Sequence, residues 1–165
     1  MANPLIRPAA PADTDAIVGL IGELAEFENL SHLLRVTPQK LHLHLFGPRP
    51  AAECWVVEDD ESLVAFALFF QNFSTFLGQP GLYLEDLYVQ PQHRGRGIGR
   101  SLLTRLAAEA QLRGCGRFEW SVLDWNHNAI GFYQGLGAQM LPDWRICRVT
   151  GDALQRLAER SVSST

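Results

Sequence analysis

The feature that most constrains this chain is the run Arg94-Gly95-Arg96-Gly97-Ile98-Gly99, set between the strand-like segment Leu82 to Val89 and a helical pattern. Ile98, Leu102, Leu103, Leu106 and Ala110 recur at the period of a helix with one apolar face, which ends near Arg113-Gly114. A strand that enters a glycine-rich turn opening a helix can bind an anion. Backbone N–H groups converge at the helix N-terminus, and the helix dipole adds partial positive charge there. The spacing Gly-x-Gly-x-Gly is not the Gly-x-Gly-x-x-Gly of a dinucleotide fold, and no Gly-Lys-Ser/Thr follows as in a nucleoside-triphosphate loop. Taken alone, the run is equally a plain turn, because turns use glycine for positive φ with or without a ligand.

The rest of the chain supplies the frame. Leu5 to Pro8 reads as a strand, and Pro11-Ala12-Asp13 opens a helix carrying Ile17, Leu20, Ile21, Leu24 and Phe27, with Asp13 as its N-cap. Thr37-Pro38 starts a second helix that stops at Gly47-Pro48. Cys54 to Glu58 and Leu63 to Phe73 form an expected hairpin about Asp59-Asp60-Glu61-Ser62, and Gly78 to Gly81 turns the chain into the strand Leu82 to Val89. After the glycine-rich helix come a strand at Phe118 to Leu123, a helix from Asn126 to Leu136, a strand at Trp144 to Thr150 and a short helix at Asp152 to Ala158. That order predicts an α+β fold with an antiparallel first half. With 165 residues, 47% of them hydrophobic, one domain over residues 1–160 and a loose tail at 161–165 are expected.

Composition removes several classes. Three widely spaced cysteines provide neither a disulfide framework nor a zinc ribbon, and Cys54, Cys115 and Cys147 are expected to be buried thiols. His42 and His44, two apart on a helix, do not face one another as metal ligands would, so no metal is expected. A net charge of -4 argues against nucleic acid as a partner and accords with cationic small molecules. No segment approaches the roughly 20 apolar residues of a membrane span. Residues 1–8 carry no basic lead followed by an apolar run, so a cytoplasmic location without a membrane partner is expected.

Tyr83-Leu-Glu-Asp-Leu-Tyr-Val89, Pro91-x-x-Arg-Gly-x-Gly-Ile-Gly99, Trp125-Asn126, Ala129-Ile-x-Phe-Tyr133 and Leu136-Gly-Ala138 together resemble the core of the GNAT acetyltransferase superfamily. Within it they resemble the spermidine/spermine N-acetyltransferase-like branch, which includes thialysine-type members. The likeness runs from the first strand to the final helix and is densest over residues 82–138. It implies a central mixed, mostly antiparallel sheet flanked by helices, in which the Leu82 to Val89 and Phe118 to Leu123 strands are parallel and splay apart. It also implies acetyl-CoA as co-substrate. Main-chain atoms of Leu87, Tyr88 and Val89 would hold the pantetheine arm like an added strand. Arg94 with Gly95, Arg96, Gly97, Ile98, Gly99 and Arg100 would wrap the pyrophosphate, and Asn126, His127, Asn128 and Ala129 would contact the far part of the cofactor.

Acetylating an amine requires its neutral form, yet an alkylammonium has a pKa around 10, so a base must take a proton. Glu85 and Asp86 are two carboxylates inside an apolar strand, where an unpaired charge is costly, and neighbouring strand residues point to opposite faces. Carried over from the branch, Glu85 is the base, through a water, and Asp86 lies near the substrate. The alternative is that they are edge-exposed or paired with Arg94, Arg96 or Arg117. Tyr133 stands at the family's general-acid position for the departing thiolate; the alternative is a core aromatic. The Leu87 N–H is the expected oxyanion donor. No Ser/His/Asp or Cys/His set is evident, so direct transfer is expected.

For the acceptor amine, Phe27, Glu28, Glu85, Asp86, Glu119, Trp120 and Trp144 are candidates, since carboxylates attract an ammonium and indole faces add a cation–π term. For any one of them a core or solvated role is the alternative. Ser74 and Phe76 stand where the polyamine enzymes carry an acidic residue followed closely by tryptophan, which favours a shorter diamine or a diamino acid such as thialysine, lysine or ornithine. A protein-lysine or N-terminal acetyltransferase and a non-catalytic acyl-CoA-binding module are the competing readings. The branch also implies a homodimer, with residues near Trp144 to Ala158 contributing to the partner's site.

Overall fold

Five strands form one sheet in the order β1-β2-β3-β4-β5 in the computed structural model, which describes residues 4–161. The strands are β1 (Leu5–Pro8), β2 (Glu53–Asp59), β3 (Ser62–Ser74), β4 (Gln79–Val89) and β5 (Arg117–Trp120). Neighbours from β1 to β4 are antiparallel and β4–β5 is parallel, the mixed, mostly antiparallel sheet expected. The chain divides into two units, Met1–Ser121 and Val122–Thr165. The first holds the sheet with α1 (Thr14–Phe27), α2 (Pro38–Phe46) and α3 (Ile98–Leu112); the second holds α4 (His127–Gly135) and α5 (Gly151–Glu159). Apart from Ser161, the tail expected at 161–165 lies outside the described residues.

The apolar stripes read from the sequence become the two sides of the core. Ile17 and Leu20 of α1 and Leu41 and Leu45 of α2 pack with Cys54, Val56, Phe66 and Tyr88 on one sheet face. Leu102 and Leu106 of α3 are fully buried, and Arg105 of that helix and Arg113 just after it stack over Trp55 and Phe69, which locates α3 on the opposite face. Each fully buried side chain of this size contributes roughly 1.5–3 kcal/mol. Gly81 permits the join of β3, β4 and β5, because a Cβ there would collide with the Asn72 side chain and press on Arg117.

The β2–β3 connection is a two-residue turn in which Asp60 (φ 48°) and Glu61 (φ 62°) both have left-handed backbone, the geometry that matches the twist of a hairpin. Thr37 caps α2 as expected, accepting the Lys40 N–H at 3.3 Å. Asp13 does not cap α1 with its side chain. It sits in helical backbone after the short 3-10 turn Pro11–Asp13, and its carboxylate accepts from Arg7 and from the Ala10 N–H, each at 2.7 Å.

Three further expectations are corrected. β5 ends at Trp120, short of Leu123, because its pairing with β4 stops at Leu84, where β4 carries a bulge. Trp144 to Thr150 is not a strand; a strand needs a ladder partner, and the described residues of the second unit contain none. Of the three thiols only Cys54 is buried, with burial pushing its pKa up to about 12, while Cys115 is half-buried and Cys147 is exposed.

Candidate active site

The glycine-rich run leaves β4 at Val89, passes a 3-10 turn at Pro91–His93 and opens α3 at Ile98. Gly95 (φ 75°) and Gly97 (φ 81°) are in left-handed backbone, and nothing lies within 4 Å of where a Cβ would stand at either. Gly97 occupies the N-cap position and its carbonyl accepts the Ser101 N–H at 2.9 Å. The first N–H groups of α3, on Ile98, Gly99 and Arg100, therefore have no acceptor within the helix. Open backbone donors at a helix start, with no side chain crowding the glycines, fit a diphosphate. Gly99 is half-buried against Leu87 and Val89.

Beside this cradle the sheet opens. Parallel pairing of β4 with β5 runs from Gly81↔Arg117 to Leu84↔Trp120 and stops, while β4 continues to Val89 paired on its other side with β3. Leu87, Tyr88 and Val89 pair with Ala67, Phe66 and Ala65, so their outer edge borders no strand among the described residues. Such an edge accepts an extended chain as an added strand.

A bulge creates the acidic corner. Phe69 pairs with Leu84 and Leu68 with Asp86, so Glu85 is the extra residue on β4 and has no cross-strand partner. Strict alternation is broken there: Leu84 shares the α3 face with Phe69, whereas Asp86 joins Leu68 on the face covered by α1 and α2. Glu85 is exposed, and Asp86 is half-buried. Desolvation, reinforced by the charges of Glu85 and Glu28, pushes the Asp86 pKa up to about 6. Burial also raises Glu28, at the end of α1, where left-handed Asn29 (φ 59°) breaks the helix.

The arginines that could have neutralised this corner are engaged elsewhere. Arg94 donates from Nε to the Val89 carbonyl at 2.8 Å and lies over the Phe27 and Tyr88 rings, at 5.0 and 5.5 Å from their centroids. Arg96 binds Asp59 at 2.6 Å. Arg117 pairs with Glu119 at 2.8 Å, so that candidate carboxylate is already neutralised. Trp120 packs against Phe118, 4.9 Å between centroids. Ser74 is buried and its Oγ accepts the Leu77 N–H, a turn role, while Phe76 is 96% exposed. Sequence reasoning missed Asp59 and His93 around Arg96, and Glu23, which accepts from the Tyr88 hydroxyl at 3.0 Å and the Gln90 amide at 2.9 Å. Asp59 lies 37 residues from Arg96 and Glu23 lies 65 from Tyr88, and pairings that distant along the chain leave no local signal.

Within the second unit, Asn126 caps α4 by accepting the Ala129 N–H at 3.2 Å, and His127 and Asn128 are exposed on its first turn. Tyr133 is half-buried, its ring 5.4 Å from that of Phe132. Trp144 is 75% exposed.

Comparison with known proteins agrees with this architecture. The family model described as Acetyltransferase (GNAT) family matches residues 23–138. A thialysine N-epsilon-acetyltransferase of Mus musculus is 39% identical over 97% of this chain and all (100%) of its own. An L-ornithine N5-acetyltransferase of Arabidopsis thaliana is 35% identical over 95% of this chain and 89% of its own. A solved integron cassette protein of V. cholerae shares the fold with a TM-score of 0.81 at 24% identity, covering 96% of this chain and 99% of that one. The parallel strand pair that opens past Leu84, the glycine cradle at α3 and these relatives lead to one assignment: the chain belongs to the GNAT acetyltransferase family and is an amine N-acetyltransferase.

Proposed function

We propose that this enzyme transfers the acetyl group of acetyl-CoA directly to a primary amine of a small diamine, polyamine or diamino acid. The observation that carries the reading is the corner formed by Glu85, Asp86 and Glu28, which has no arginine partner among the described residues and whose Glu85 and Asp86 lie on the strand with the open outer edge. Neighbouring carboxylates that lack a cation of their own attract an ammonium ion, and Phe27 is the aromatic neighbour of Glu28 in the chain. Relatives named for thialysine and L-ornithine support a short diamino acid over a long polyamine.

In this reading Leu87, Tyr88 and Val89 hold the pantetheine arm, the main-chain N–H groups of Gly95 to Arg100 hold the diphosphate, and Asn126 to Ala129 hold the far end of the donor. Bound there, acetyl-CoA supplies an activated thioester carbonyl. Asp86 and Glu28 anchor the substrate cation, and Glu85, exposed at the bulge, removes the ammonium proton through water. The freed nitrogen lone pair forms the amide bond as the carbon–sulfur bond breaks, and the second proton that nitrogen then loses passes through solvent to restore the Tyr133 phenol. The Leu87 N–H steadies the carbonyl oxygen, and the Tyr133 phenol returns a proton to the leaving sulfur. A second assignment of the base, to Asp86, is favoured by its pKa of about 6, which leaves it largely ionised yet basic at neutral pH. We also propose a cytoplasmic homodimer. The exposed Trp144, Ile146, Val149, Leu154 and Leu157 of the second unit are its interface candidates.

The test is thiol release from acetyl-CoA with ornithine, lysine, thialysine, spermidine, aryl-alkylamines and lysine peptides. Small diamines should be acetylated and peptides should not; acetylation of peptides alone would overturn the acceptor class. Tyr133→Phe should lower kcat by about 10²–10⁴-fold while acetyl-CoA still binds. Glu85→Gln should do the same if Glu85 is the base, whereas loss confined to Asp86→Asn would move that role to Asp86.

A further inference from the structure

The cradle is tied to the far end of the β2–β3 hairpin. Asp59, the last residue of β2, has a side chain only 9% exposed although it borders a surface turn. Its Oδ2 receives Arg96 Nη1 at 2.6 Å and lies 3.3 Å from His93 Nδ1, and Arg96 Nη1 and His93 Nδ1 are themselves 3.0 Å apart. Arg96, through its hydrogen bond and then its charge, together with His93, holds the Asp59 carboxyl below its usual range. The two residues held are the last of the 3-10 turn and the one residue between left-handed Gly95 and Gly97. A run with two such glycines has much backbone freedom to lose on binding, and a ligand that must order it binds more weakly.

We propose that Asp59 is a positioning residue for the donor cradle. By gripping Arg96, whose Nη1 also reaches His93 Nδ1, it sets the Gly95–Gly97 turn before the diphosphate arrives, so the Arg96 side chain serves as the tether of the turn and not as a ligand of the phosphate. The inference rests on the reading of this turn as the acetyl-CoA site. The donor is then held there by main-chain N–H groups, and the Arg96 charge is already matched by Asp59.

The experiment is a double-mutant cycle on the full chain with Asp59→Asn, Arg96→Gln and the pair, reading acetyl-CoA affinity by calorimetry, KM for each substrate, and amide hydrogen exchange of residues 95–99 without ligand. Each single variant should weaken acetyl-CoA binding roughly three- to thirty-fold, and the pair should be no weaker than either. The acetyl-CoA KM should rise with kcat and the amine KM unchanged, the free protein should exchange faster at 95–99, and Asp59→Glu should recover part of the affinity. Thermal unfolding of every variant, together with Arg96→Lys, separates a loosened turn from a damaged fold. Weaker binding in Arg96→Gln with unchanged or tighter binding in Asp59→Asn would make Arg96 a phosphate ligand and overturn the proposal. Unchanged affinity and exchange in both singles would also overturn it, while leaving the acetyl-CoA site intact. Failure of the unmodified protein to bind acetyl-CoA would remove the site and the tether together.

Discussion

Asp86 shows how one side chain can be costly for the fold and useful to the enzyme. In the unfolded chain it titrates near 3.8, and in the fold near 6. Below the lower value it is neutral in both states and costs nothing. Between the two the folded state binds the extra proton, so stability falls as pH rises, and above the upper value the full cost is present. Discounted for partial exposure, that cost is about 1–2 kcal/mol. Asp86→Asn should therefore unfold at a higher temperature than the parent above about pH 7, with the gain vanishing below about pH 4. A difference from the parent that is the same at both pH values would show that Asp86 is not held against its charge. Glu85, next to it, is turned to solvent by the bulge. Both carboxylates were conspicuous in the sequence, as charges inside an apolar strand. Which was desolvated was not, because a one-residue register shift assigns the faces.

At the scale of elements, the cradle depends on backbone conformation more than on side chains. Gly97 at φ 81° is the N-cap of α3, with open space beside it. Gly97→Ala meets no clash, yet a left-handed non-glycine residue costs about 1–2 kcal/mol, so the turn is expected to shift and the acetyl-CoA KM to rise several-fold with kcat retained. An unchanged KM would show that the turn does not bear on the donor. α3 itself should withstand this change, because its anchor is the apolar face. Leu106→Ala, at a fully buried position, should cost about 2–5 kcal/mol in chemical denaturation whether or not ligand is bound. The helices and the glycine turn were legible because period and spacing are local properties. The early end of β5 and the missing strand at Trp144 to Thr150 were not, since a strand exists only where another offers a hydrogen-bonding edge.

For the whole molecule, the second unit leaves much apolar surface uncovered: Trp144 is 75% and Ile146 73% exposed, with Val149, Leu154 and Leu157 beyond them. Surface of that kind marks an association site, and sedimentation at micromolar concentration should show a dimer, with Trp144→Ser and Ile146→Ser together shifting it toward monomer. A monomer throughout would remove the proposed dimer without touching the chemistry of the first unit. The same division separates what the chain alone determined from what required the fold. Helix stripes, the glycine turn and two acidic residues in an apolar strand were present in residue order because each rests on neighbours within a few positions, and the family pattern because it consists of residue identities alone. The binding of Arg96 to Asp59, the burial of Asp86 but not Glu85, the neutralisation of Glu119 by Arg117 and the open edge of β4 came only from tertiary structure. Each depends on which distant segments share a face and a register, and only the assembled sheet decides that.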